Sequence, residues 1–208
     1  MRFEPTPRPA ARLVLLALVA TACGLWWHWA QPLKAKPMDA AINEFSGQRA
    51  LAYSRKYAVE PHAHGSAANA RVRDFLVREL KAMGLQVEIQ RDPVNHVNSV
   101  SFVENVLAKL PGSSNTKTIG ITAHYDSVAW GPGAADDGAG VVVMLEAARA
   151  LMCSPQLKHD LVFIFTGDEE GGGNGSVVSL QHPWLKDMNL VLGLEGRGDW
   201  GTPYMFET

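Results

Sequence analysis

Two cysteines, Cys23 and Cys153, are the whole thiol complement of the 208 residues. That excludes a disulfide framework and any zinc site built from cysteine. Charge of one sign is also missing, since 19 Lys and Arg against 21 Asp and Glu give a net charge of −2. Without a basic face there is no electrostatic case for nucleic acid as a partner. Internal repeats and low-complexity tracts are absent. What is present is a chain with 47% hydrophobic and 19% charged residues, enough apolar side chain to bury a core and too much for disorder. Setting aside the first forty residues or so leaves one domain's worth of polypeptide.

The N-terminal stretch has its own character. Residues 1–12 carry Arg2, Arg8 and Arg12, and residues 13–30 (LVLLALVATACGLWWHWA) are free of formal charge when His28 is neutral. A run of this length just spans a bilayer core, with Trp26, Trp27 and Trp29 suited to the interface. A cleaved signal peptide competes with this reading, but its apolar region is shorter and the tryptophans are a poor exit from a cleavage site. The expectation is a retained single-pass anchor. The arginines place its N-terminus inside and the following domain on the exoplasmic side, periplasmic or lumenal, although Lys34 and Lys36 nearly balance them. Residues 31–44 read as a linker and residues 45–208 as the domain.

Within that domain, 38–57 and 69–83 carry helical periodicity, the second closed by Gly84. Residues 85–90 and 101–110 alternate like half-buried strands. The short apolar runs 118–123 (TIGITA) and 161–166 (LVFIFT) suit central strands, with a helical pattern over 140–151 between them and another apolar run at 189–194. Strands alternating with helices predict an α/β fold with a mostly parallel central sheet flanked by helices.

Chemistry collects where these runs end. TIGITA leads into His124-Tyr125-Asp126, LVFIFT into Gly167-Asp168-Glu169-Glu170, and the last run into Glu195, while Asp136-Asp137-Gly138 opens the helix after the first. In a parallel sheet these groups converge beyond the carboxyl ends of the strands. Carboxylates gathered without a cation repel and raise one another's pKa, which bound metal relieves. One histidine with several carboxylates and no cysteine suits Zn²⁺, with Mn²⁺ and Co²⁺ as alternatives. His124 and Asp126 share a face of an extended segment, so a ligand with its orienting acid is one reading. Taken singly, each feature has a plainer explanation: a satisfied His–Asp pair, a helix cap at Asp136-Asp137, a solvated Glu169-Glu170. Their common placement at strand ends is what favours a site.

His124-Tyr125-Asp126-Ser127, Pro132–Gly140 (PGAADDGAG), Glu169-Glu170 and Glu195 resemble the M28 family of co-catalytic zinc peptidases, in particular its membrane-anchored vacuolar and endoplasmic-reticulum branch. Pro61–Ser66 (PHAHGS) and Met205–Thr208 (MFET) resemble that branch as well. The resemblance implies a zinc-dependent metallopeptidase acting on peptide substrates as an aminopeptidase, with two zinc ions. It implies metal ligands at His124, Asp136 (bridging), Glu170 and Glu195. Glu169 is then the general base, Asp126 the acid orienting the histidine, and Asp137 the residue that shapes the peptide after the bridge. Two departures stand out. Gly171-Gly172-Gly173-Asn174-Gly175 replaces the hydrophobic pair that usually follows the double glutamate, which predicts a looser loop. The family's last histidine ligand has no match: of His28, His62, His64, His96, His124, His159 and His182, only His124 sits in a ligand motif. His62, His64 and His182 read as surface or packing residues. The alternative expectation is therefore a truncated, membrane-anchored fragment without activity, or a binding module. A nucleotide-binding reading of the glycine loop fails on charge, because Asp168, Glu169 and Glu170 adjoin it and no P-loop lysine follows.

Overall fold

A computed structural model describes residues 9–95, 100–114, 117–196, 198 and 205. Arg2, Arg8, His96 and Phe206–Thr208 lie outside the described residues. Two units are distinguished, Ala35–Asp199 and the remainder. In the remainder, α1 (Pro9–Ala30) is a helix of 22 residues with no buried side chain. At 1.5 Å per residue it is about 33 Å long, the thickness of a bilayer core.

The larger unit is built on a five-stranded sheet in the order β1-β2-β4-β3-β5. Its strands are β1 (Gln86–Asn95), β2 (Val100–Leu110), β3 (Thr118–His124), β4 (Asp160–Thr166) and β5 (Met188–Gly193). The α/β fold read from the runs is what forms. β4, β3 and β5 run parallel, and β1 and β2 add an antiparallel hairpin, so the sheet as a whole is mixed. All seven residues of β4 are buried. Leu161, Phe163 and Phe165 enter one hydrophobic cluster with Tyr57, Leu76, Leu80, Met144 and Leu145. Val162 and Ile164 face the other way, onto Leu107 and Leu185. Burial on both faces is why this strand reads as a continuous apolar run rather than an alternation.

Helices α2 (Gly47–Tyr57), α3 (Ala67–Ala82) and α4 (Gly138–Met152) supply the first cluster, and a short α5 (Asn174–Ser179) follows β4. Each of the first three starts at a side-chain cap: Ser46, Ser66 and Asp137 accept from the N–H three residues on. Gly84, at φ +89°, ends α3 in the left-handed conformation that glycine adopts freely.

The helix expected over 38–57 begins only at Gly47. The residues before it are held in turns by two arginines. Arg49 donates to the carbonyls of Met38, Ala40, Ala41 and Glu44, and Arg149 to those of Ile42 and Glu44. Both arginines also bind the buried Glu146 of α4, which accepts the Ser46 N–H at 2.9 Å. Residues 36–46, read as linker to residue 44, are thus tied to the domain. Partners a hundred residues away leave no trace in local periodicity.

Candidate metal centre

The carboxyl ends of β3, β4 and β5 share one edge of the sheet, set by the register that pairs His124 with Thr166 and Thr122 with Gly193. His124, the last residue of β3, is buried, and its Nε2 lies 3.0 Å from Asp136 Oδ1. Glu169 Oε2 is 3.8 Å from the same nitrogen. His124, Asp136 and Glu170 each bring a ligand-type atom within 4.8 Å of the others. Glu195 lies just past β5, where the negative charge of Asp136 acts on its carboxylate. His124, Asp136 and Glu170 therefore meet, with Glu169 beside the histidine. The Asp136–Asp137 peptide, where the resemblance implied an unusual geometry, is cis.

Asp126 pairs with His124 and also reaches the loop after β4. The nearest acceptor for His124 Nδ1 is the Asp126 backbone carbonyl at 3.1 Å, with the carboxylate at 3.6 Å. The carboxylate also accepts the N–H groups of Glu169 at 3.1 Å and Glu170 at 3.2 Å. One acid therefore links the end of β3 to the loop after β4.

The gathered carboxylates disfavour one another's charge. Burial raises the pKa of Glu170, and the neighbouring Asp136 charge raises it further. Burial and Asp136 do the same to Glu195. Burial pushes Asp137 up to about 8 against the pull of His124 and of the Gly140 N–H. For His124, burial disfavours the charged ring, but hydrogen bonding and charge from Asp126, with Asp137 and Glu169, carry its pKa to about 10. A borderline nitrogen donor among carboxylate oxygens is a donor set that fits Zn²⁺.

The glycine loop is tied down rather than loose. Gly172 and Gly173 donate to the Glu169 carbonyl at 2.9 and 2.8 Å, and Asn174 N–H to the Asp168 carbonyl at 3.0 Å. Side chains the sequence did not single out complete the support: Ser101 and Asn174 both donate to Asp168, and Ser101 also meets His64. Only the PHAHGS stretch hinted at His64. His62 and His182 are buried packing residues, as read. Beside the site, a cleft of about 340 Å³ is lined by His64, Trp130, Asp168, Glu170 and Gly171, among others.

Residues 105–208 match the model of peptidase family M28. The chain is 35% identical over 169 residues to the vacuolar membrane protease of Eremothecium gossypii, a match covering 71% of this chain and 17% of that protein. The chain thus spans about a sixth of the length of that relative. Among solved structures it resembles Porphyromonas gingivalis glutaminyl cyclase, with a TM-score of 0.64 and 26% identity over 74% of this chain and 60% of that one. A leucine aminopeptidase precursor from Bacteroides thetaiotaomicron, at a TM-score of 0.63 and 20% identity over 76% and 64%, shares the fold. On the family match and the strand-end site together, the chain belongs to peptidase family M28.

Proposed function

We propose that this chain carries the catalytic apparatus of a membrane-anchored, zinc-dependent peptidase acting as an aminopeptidase. The observation that carries the reading is the convergence of His124, Asp136 and Glu170 within 4.8 Å, with Glu169 3.8 Å from the same histidine nitrogen.

His124, Asp136, Glu170 and Glu195 would hold two zinc ions. Zinc there would polarise the scissile carbonyl and bring the pKa of a coordinated water toward neutrality. Glu169, with its carboxylate partly open to solvent, takes a proton from the attacking water and returns it to the leaving amine. Asp126 holds the N–H groups of Glu169 and Glu170, which fixes the base relative to its neighbouring ligand. A cluster of acids at the mouth suits a substrate that presents a free α-amine. Helix α1 serves as the anchor, its arginine-bearing end cytoplasmic by the positive-inside rule and the peptidase domain exoplasmic.

The test is cleavage of aminoacyl-nitroanilides with and without chelator. Chelator-sensitive hydrolysis is expected, and Glu169→Gln is expected to lower kcat by roughly a thousandfold while zinc content is kept. Near-normal turnover by Glu169→Gln would overturn the assignment of the base. A peptide with N-terminal glutamine is the control, given the glutaminyl cyclase neighbour. Cyclisation of that peptide without hydrolysis of any other would replace the peptidase reading.

A further inference from the structure

Asp168 stands immediately before the proposed base, at φ +62°, a left-handed conformation that non-glycine residues rarely adopt. Three parts of the fold converge on its buried side chain. Oδ2 accepts the Ser101 hydroxyl at 2.5 Å and the Asn174 amide at 2.7 Å. Ser101 Oγ in turn lies 3.1 Å from His64 Nε2. A carboxylate only accepts, and a serine hydroxyl has one proton. With that proton committed to Asp168, the serine oxygen must receive Nε2–H from His64. The polarity of the chain is fixed: His64 donates to Ser101, and Ser101 donates to Asp168.

This relay joins the loop before α3, the start of β2 and the start of α5 to a single residue of the catalytic loop. Gly171 belongs to the same arrangement, since a Cβ there would sit 2.0 Å from Asp168 Oδ1. The backbone of Asp168 is held as well, its carbonyl accepting from Asn174 N–H at 3.0 Å. On the other side of the loop, Asp126 grips the Glu169 and Glu170 N–H groups. The loop has no apolar side chain between Glu170 and Asn174 to pack it into the core. Polar ties on both flanks take that part.

We infer that His64, Ser101 and Asp168, with Asn174, are positioning residues: the relay locks Asp168 in its left-handed conformation and thereby aims Glu169 and Glu170 into the metal centre. The inference rests on the proposed peptidase function for its kinetic consequence, but not for its structural one.

Both consequences are measurable on the 208-residue chain. Ser101→Ala removes the link between His64 and Asp168, and Ser101→Thr restores the hydroxyl. Amide hydrogen exchange at Glu169 and Glu170 is expected to speed up at least tenfold in Ser101→Ala and to return close to the wild-type rate in Ser101→Thr. The kinetic expectation is a fall in kcat of on the order of tenfold to a hundredfold in Ser101→Ala with KM within about twofold, again recovered in Ser101→Thr. The visible spectrum of the Co²⁺-loaded protein should change in parallel as Glu170 shifts. His64→Gln, which keeps an amide donor, should fall between the two serine variants. Exchange at Glu169 and Glu170 that is the same in Ser101→Ala as in wild type overturns the relay. If Ser101→Ala fails to fold, exchange in His64→Gln and His64→Ala decides by the same criterion. A wild-type chain with no peptidase activity would sink the functional reading while the exchange rates still judged the relay.

Discussion

The carboxylate of Asp126, two residues past the strand-end histidine, accepts the backbone N–H of Glu169 at 3.1 Å. This contact joins the end of β3 to the loop after β4. Its partner bond to Glu170 N–H at 3.2 Å gives one acid control over both acidic residues of the loop. Burial opposes the charge on Asp126, but bonds from His124 and from these two N–H groups hold its pKa below the usual carboxylate range. Asp126→Ala should therefore lower zinc affinity by roughly 10- to 100-fold, as loss of an outer ligand-orienting partner does. Competition against a chromophoric chelator measures it, and wild-type affinity in the variant would show that the loop is positioned without Asp126.

Glu146 makes a prediction about acid stability. Its buried carboxylate is held by Arg49, Arg149 and the Ser46 N–H. Burial works against its ionisation, but the hydrogen bonds and charges of the two arginines win and lower its folded pKa. A lowered folded pKa gives stability that is fully present above the unfolded carboxylate value and is lost as pH falls through the folded one. Urea unfolding should thus show stability falling with acid in the range below the ordinary glutamate pKa. In Glu146→Gln that dependence should be shallower, and stability near neutral pH lower by about 3 kcal/mol, because two arginines keep a partly buried position without their counter-charge. An unchanged acid limb in Glu146→Gln would remove this residue from the account.

Gly175, in the first turn of α5, has no room for a side chain. At Gly175 a Cβ would lie 2.1 Å from the Gly167 carbonyl oxygen and 2.8 Å from Thr166 Cβ, neither of which yields without moving β4. Gly175→Ala should cost roughly 1–3 kcal/mol of stability by thermal or urea unfolding. A variant as stable as wild type would mean that α5 does not pack against the end of β4 as described.

Much of this was written in the sequence. The full burial of β4 follows from an unbroken apolar run, the site histidine from its place at the end of TIGITA, and the helix after Asp137 from its cap and apolar spacing. The resemblance located Asp136, Glu169, Glu170 and Glu195, and the fold brings them to one sheet edge. What local pattern did not carry was the set of ties between distant segments. Asp126 was read as a partner for histidine, its neighbour in the chain, but nothing local shows that its carboxylate also serves residues 43 and 44 positions away. The glycine loop looked slack because its anchors, Ser101 and His64, belong to other elements. The turns before α2 looked helical because the arginines that hold them open are recognisable only once α2 and α4 lie side by side.

Metal stoichiometry tests the central claim most directly. After incubation with zinc and removal of the excess, elemental analysis should find about two zinc ions per chain, falling in His124→Ala and in Asp136→Ala while Glu169→Gln keeps them. A wild-type chain that is folded by circular dichroism and retains no zinc would contradict the account.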